Sequence, residues 1–322
     1  MRVFKNDQPD AKKTSEAALA RIHLGQETTF RNMTIFPLLD GSDGSPDYLT
    51  LDEALAQGSV HITEVSAEGS VPELKFRNEG DQPVLLLDGE ELIGAKQNRI
   101  LNLTILAPAK RTIVIPVSCV EAGRWRYRSA GFIASSLVYF ALGRAAKMAQ
   151  VSDSLANARE RRADQHAVWS AIAAKAANLK TESTTAAMWD IYGYHAARID
   201  DYVAAFATID RQVGAAFAIN GSVIGFDLFD YPASCRKLLP KLVRSYALDA
   251  IEISEQTAMR ASRRAVEELL SAVARAQVKS FPAVGEGVDV RFTGPDLAGA
   301  GLIARGRVVH LSAFHVKDAP QE

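Results

Sequence analysis

VHITEVSAEGSVPELKFRNEGDQPVLLLDGEELIGAKQNRILNLTILAPAKRTIVIPVSCVE, residues 60–121, holds the runs that decide the fold class. VHITEV, ELKFRN, PVLLL, RILNLTIL and RTIVIPVSCVE are rich in β-branched residues or leucine, and the intervening NEGDQ, DG and APAK are turn-prone. Five strands in about 60 residues, with no helical period between them, predict an antiparallel sheet, open or sandwich-like, rather than βαβ units.

Upstream, FRNMTIFPLLD reads as a strand ending at its proline, and GSDGSPD as a loop. Thr50, with Glu53 three residues on, predicts a capping box that opens a short helix through LDEALAQG. Downstream, the spacing from Gly131 to Asp210 turns helical, and three helices are expected there. Met188, Ile191, Ile199, Tyr202, Phe206 and Ile209 fall on one stripe, and Trp169, Ile172, Ala176 and Leu179 on another. SLANARERRADQH is charged and reads as solvated. AAFAI-NG-SVIGFDLFD predicts a hairpin, because a type I′ turn needs positive φ at both central residues. Pairing across Asn220–Gly221 puts Phe217, Ile219, Ile224, Phe226 and Leu228 on one face, with Asp227, Ala216, Ala218, Val223 and Gly225 on the other.

Two further helices follow, the second with Met259, Val266, Leu269, Leu270 and Val273 on its buried side, and then a strand pair, GAGLIA-RG-RVVHLSAF. The expected class is α+β: an antiparallel β-rich N-terminal part, a central helical block, a β-hairpin, further helices and a C-terminal strand pair. The expected organisation is a polar extension over 1–27, one domain over 28–316 and a frayed tail over 317–322. Within that domain, 28–128 is β-rich, 130–210 helical and 213–316 mixed.

The chain has 322 residues, 48% hydrophobic and 23% charged, with 37 Lys+Arg against 38 Asp+Glu. That balance excludes a global basic field, so nucleic acid is not an expected partner. Two cysteines, Cys119 and Cys235, exclude a disulfide scaffold. The start lacks an apolar signal run, and GFIASSLVYFAL at 131–142 is shorter than the roughly 20 residues that span a bilayer. A cytoplasmic protein with no membrane partner is expected. GxGxxG, GxxxxGK[ST], GxSxG and HExxH are all missing.

The densest polar stretch is LLLDGEELIGAKQNRILN, residues 85–102. Asp88, Glu90 and Glu91 are the candidate catalytic acids, since paired carboxylates serve acid/base work or hold a divalent cation such as magnesium. Lys96, Gln97, Asn98 and Arg99 follow as candidate ligand-binding residues, with arginine the bidentate partner for phosphate. If DG is a two-residue turn, Glu90 and Glu91 point to opposite faces. A regular strand then groups Glu91 with Gln97 and Arg99, and Glu90 with Lys96 and Asn98. The competing reading is a solvated hairpin tip. In GRWRYRS, Arg124, Arg126 and Arg128 alternate with Trp125 and Tyr127. On a strand this makes either a phosphate-binding stripe or a charged sheet edge with its aromatics in the core. Asp227 is either a ligand-facing carboxylate or the partner of an arginine such as Arg244.

PVLLLDGEELIGAKQNRILN, IPVSCVEAGRW, VGAAFAINGSVIGFDLFD and KLVRSYALDA together resemble a bacterial domain family of unknown function, over Thr28 to Phe314. That family is named for its association with ADP-ribosylglycohydrolases and rhodanese-phosphatase-superfamily proteins. The resemblance implies a place in NAD or ADP-ribose metabolism, and no residue role is carried over with it. Two functions compete. One is an enzyme or binding protein acting on ADP-ribose or a phosphorylated derivative, through Asp88–Arg99 with Arg124 and Asp227. The other is a non-enzymatic module that docks an ADP-ribosylglycohydrolase-type protein.

Overall fold

The computed structural model describes residues 10–41, 44–66, 68–253 and 261–316. Met259, the first nine residues and the 317–322 tail lie outside them.

Asp10 caps α1 (Ala11–Ala20), accepting the Lys12 and Lys13 N–H groups. β1 (His23–Leu24), β2 (Thr28–Phe30) and β3 (Met33–Leu39) follow, β3 continuing through Pro37 instead of stopping there. β4 (Leu49–Thr50) leads into α2 (Leu51–Ala56), and the Thr50–Glu53 capping box is present in both directions. The β-rich stretch forms β5 (Val60–Glu64), β6 (Glu73–Asn78), β7 (Val84–Leu86), β8 (Glu90–Gly94), β9 (Arg99–Leu101), β10 (Ile105–Ala107), β11 (Arg111–Cys119) and β12 (Phe132–Val138). RILNLTIL is therefore two strands. Asn102 and Thr104 break it, and the Leu101 and Asn102 carbonyls accept from the Lys147 ammonium.

Phe132–Val138 is a strand rather than the start of the helical block, as Phe132, Ile133 and Val138 favour. That block holds four helices where three were expected: α3 (Ala141–Asn157), α4 (Gln165–Asn178), α5 (Met188–Tyr194) and α6 (Ala196–Ala205). The single predicted stripe is split at His195, and Ile209 lies exposed beyond α6. Next come β13 (Gln212–Ile219), β14 (Ser222–Phe229), α7 (Pro232–Glu252), α8 (Arg263–Arg275), β15 (Gln277–Pro282), β16 (Val288–Gly294), β17 (Leu297–Ala304) and β18 (Arg307–His315).

The described residues form three sheets. A nine-stranded antiparallel sheet runs β1-β3-β13-β14-β18-β17-β16-β15, with β2 also on β3, so strands from both ends of the chain share one sheet. Its first face packs Phe36, Leu38, Phe226 and Leu311 against Leu19 of α1 and Val266, Leu269 and Val273 of α8. The opposite face packs Phe217, Phe229 and Phe314 against α7, where Phe217 stacks on Tyr246 at 3.8 Å between centroids. A six-stranded antiparallel sheet, β12-β8-β9-β11-β6-β5, brings its edge strands β12 and β5 into contact and curls around Ile62, Leu74, Phe76, Leu92 and Val117. A small sheet, β10-β7-β4, touches β17 of the large sheet and shares the core of the six-stranded one through Val84, Leu86 and Ile105.

The NG hairpin forms with Asn220 at φ 47° and Gly221 at φ 80°. A bulge between Phe217 and Ala218 shifts its register by one residue. Asp227 consequently stands opposite Ala215 on the Phe217 and Phe229 face, while Phe226 and Leu228 join Ala216, Ala218 and Val223. The predicted faces therefore hold for Phe217, Ile219 and Ile224 and for Ala216, Ala218 and Val223, but Phe226, Leu228 and Asp227 are exchanged beyond the bulge.

Candidate functional site

Leu87–Gly89 does not close a hairpin. β7 pairs with β10 and β4, whereas β8 pairs with β12 and β9, so Asp88–Gly89 is where the chain passes between two sheets. The polar motif is accordingly interior, and Asp88, Glu90, Glu91, Gln97, Asn98 and Arg99 are all buried. The three acids diverge into three separate environments.

Asp88 accepts from the ammonium of Lys147 on α3, and the Arg144 guanidinium lies 3.6 Å from its other oxygen. Arg144 also grips Asp227 with both terminal nitrogens, at 2.6 and 3.1 Å. A chain of hydrogen bonds closes the cluster: the Asp88 N–H donates to Thr104 Oγ1 at 3.1 Å, which lies 2.8 Å from His310 Nδ1. His310 Nε2 lies 3.1 Å from Asp227. Burial opposes Asp227's charge, but Arg144 and His310 outweigh it and hold the carboxyl down at about 2. Burial lowers the Lys147 pKa despite Asp88. A cavity of about 10 Å³ beside Asp88, Thr104, Arg291, His310 and Ser312 has room for one water. Asp227 is thus an interior ion-pair partner, of Arg144 and not of Arg244, which pairs with Asp200.

Glu90 turns the other way. Its Oε1 takes the Lys241 ammonium from α7 at 2.5 Å, and Oε2 accepts the Leu87 N–H at 3.2 Å. Asp52 shares Lys241 at 2.8 Å. Burial lowers Lys241's pKa, but Glu90 and Asp52 leave it raised overall.

Glu91, opposite Glu90 in facing, has no cation partner among the described residues. Ser135 donates to its Oε2 at 3.0 Å, and its buried Oε1 has no hydrogen-bond partner. Burial, with Glu121 and Asp190 nearby, pushes its carboxyl up to about 8. Asn98 lies beside it rather than beside Glu90. The expected alternation fails because Gly94 (φ 140°) and Ala95 (φ 35°) turn the chain before Lys96. Arg99 does join Gln97, at 2.9 Å, but two of its nitrogens have no hydrogen-bond partner. Lys96 points away to the Glu68 carbonyl, over the rings of Trp125 and Tyr127 at 5.3 and 5.1 Å.

GRWRYRS is irregular backbone, so no arginine face and no buried aromatic face exist. Arg124 folds inward. It donates to the Ala95 carbonyl (2.7 Å) and Asn98 Oδ1 (3.0 Å), and pairs with Glu121 at 2.6 Å. Arg126, Tyr127 and Arg128 stay outside, and the two arginines have no ion-pair partner among the described residues. Together these residues line a pocket of about 370 Å³. Its floor is Asn98, Glu121 and Arg124. Arg126, Tyr127 and Arg128 complete its lining, with Thr185 from the loop before α5 and Trp189 and Asp190 from the start of α5. Glu121 is held ionised: burial raises its pKa, but Arg124, the Asn98 N–H at 3.1 Å and Thr185 at 2.9 Å lower it further.

The structure therefore gathers Asn98 and Arg124 at one pocket with Glu91 close by, and sends Asp88, Glu90 and Asp227 to interior ion pairs. The described residues hold no group of three or more His, Cys, Asp or Glu side chains placed to bind a metal. Sequence reasoning missed Arg144 and Lys147, although two cations three apart among Ala141, Ala145, Met148 and Val151 sit on an apolar helical stripe. Lys241 carries the same signal within α7. Trp189 and Asp190 gave none, because neighbours of a core stripe are usually solvated.

No described helix is long and apolar enough to cross a membrane. Residues 21–314 match the family model for ARPP-1, the ARG and Rhodanese-Phosphatase-superfamily-associated Protein domain. No curated protein and no solved structure matches the chain.

Proposed function

The chain belongs to the ARPP-1 family, and from that premise we propose that its Asn98–Asp190 pocket binds an ADP-ribose-like nucleotide. The family's name associates it with ADP-ribosylglycohydrolase and rhodanese-type proteins, which makes a nucleotide of that chemistry the first ligand to consider. The pocket carries the reading. Arg126 and Arg128 offer unpaired guanidinium groups suited to a diphosphate. Trp189 and Tyr127, 41% and 53% exposed, offer faces on which a base can stack. Glu121 and Asp190 can accept from ribose hydroxyls. A volume of about 370 Å³ is within the range of small-molecule sites.

Calorimetric titration with ADP-ribose, NAD and AMP, each with and without magnesium, tests this. Trp189→Ala and the Arg126→Glu/Arg128→Glu pair should each weaken ADP-ribose binding about tenfold or more, as loss of a stacked base or a phosphate contact does. Heat of binding unchanged in both variants would refute the pocket assignment.

A second reading has its own support. Ile133 of β12 and Val114 of β11, 63% and 49% exposed, lie on the six-stranded sheet, and Trp125 and Tyr127 are exposed as well. Such a surface suits a protein partner of the ADP-ribosylglycohydrolase type. Silence with every nucleotide, together with capture of a glycohydrolase that Ile133→Asp abolishes, would favour it.

A further inference from the structure

Of the three acids in DGEE, two are neutralised by lysines brought from helices, and the third is not. Glu91 is fully buried and forms no ion pair among the described residues; Ser135 donates to one oxygen, the Asn98 side chain gives it only weak further support, and its other oxygen has no hydrogen-bond partner there. A carboxylate cannot be held that way, since burying an uncompensated charge costs far more than taking up a proton.

The surroundings sharpen the point. β12 presents the uncharged Ser135. α5 presents Asp190 and Tyr192, whose hydroxyl donates to the Val138 carbonyl at 2.8 Å. The segment after β11 presents Glu121, already paired with Arg124, and the turn before β9 presents Asn98. On β9, Ile100 lies opposite Glu91 and Arg99 opposite Leu92. The groups that bear on Glu91 are thus two carboxylates and one guanidinium that is already taken. Asn98, Glu121 and Asp190 are also lining residues of the pocket, so Glu91 adjoins three of the groups that line it.

We propose that Glu91 is the specificity-determining residue of this pocket: uncharged, it lets Arg126 and Arg128 hold an anionic ligand, and ionised, it repels one. This inference rests on the nucleotide-binding reading and adds the group that sets the charge the ligand meets. Proton loss places a third carboxylate beside Glu121 and Asp190, behind a floor with a single neutralised arginine, and phosphate oxygens are then disfavoured. The direction of Glu91's titration agrees, burial and its acidic neighbours keeping the proton on to about pH 8.

The probe is ADP-ribose, whose diphosphate keeps a constant charge through this range. Its dissociation constant is measured by calorimetry between about pH 6.5 and 9.5, for the unaltered chain, Glu91→Gln and Asp190→Asn. The unaltered chain should bind evenly up to about pH 8 and then weaken, at most about tenfold per unit. Glu91→Gln, isosteric with the neutral acid, should bind at every pH without that alkaline limb. Asp190→Asn removes a repelling neighbour and should move the limb to lower pH, so the test survives if Glu91→Gln fails to fold. A limb that persists unmoved in both variants overturns the role of Glu91 while leaving the pocket standing. No binding of ADP-ribose at any pH overturns the nucleotide reading itself, and this inference with it.

Discussion

Lys147 is a cation with nowhere to go but Asp88 and two backbone carbonyls, and Asp88 without it has only Arg144 at 3.6 Å. Lys147→Met should therefore cost about 3–5 kcal/mol in urea denaturation, the usual penalty for stranding a buried charge. Lys147→Met combined with Asp88→Leu should recover part of that loss, because the two effects share one interaction. Glu91 has the opposite character. Its ordinary value is 4.5 and its folded value about 8, so below 4.5 both states hold the proton and the group is neutral to stability. Between those values only the unfolded chain releases it, and stability falls as pH rises, levelling above about 8. Denaturation midpoints of Glu91→Gln should fall less over that window. A parallel decline would show that another group causes it. Asp227 acts at the other end, its stabilisation complete above 3.8 and lost as pH falls towards 2.

At the scale of single elements, local chemistry and tertiary position can be separated by where a substitution acts. The Thr50 side chain accepts the Glu53 N–H while Glu53 accepts the Thr50 N–H, so α2 begins where the sequence says it should. Thr50→Ala should lower thermal stability by about 1 kcal/mol and leave ligand binding alone. Gly94 is different. At φ 140° it ends β8, and a Cβ there would run into the Gly131 carbonyl of the neighbouring strand entry. Gly94→Ala should strain the turn that delivers Asn98 to the pocket, weakening ADP-ribose binding as well as the fold. Normal affinity in Gly94→Ala would show that the turn does not position Asn98. Capping and turn signals are read correctly wherever they act within a few residues, as in α2 and the turns of the NG hairpin and β17–β18, whereas the period-2 faces of the NG hairpin fail beyond its bulge. They fail at RILNLTIL, because an apolar run looks the same whether it stays in one sheet or crosses to another.

At the scale of the molecule, β3 from the N-terminal region pairs with β13, and β18 from the C-terminal region supplies His310 to the cluster on Asp88. A fragment of residues 28–128 would have to bury Asp88 and Glu90 without Lys147, Arg144 or Lys241, and would lack β12. It should remain unfolded by circular dichroism, and unfolding of the whole chain should follow one transition by tryptophan fluorescence and circular dichroism alike. A folded fragment would contradict this. The candidate site was half legible. Asn98, Arg124 and Glu91 stand out as polar residues between apolar runs, but nothing local says which of the motif's acids would find a cation. The α+β class, most strands, the α2 cap and the hairpin turns follow from residues a few positions apart, and so could be read from the chain alone. The interior position of the polar motif and the division of its charges come instead from long-range packing. Asp88 meets Lys147 across 59 residues, Arg144 meets Asp227 across 83 and Glu90 meets Lys241 across 151. Whether a buried carboxyl is an ion or an acid depends on that company.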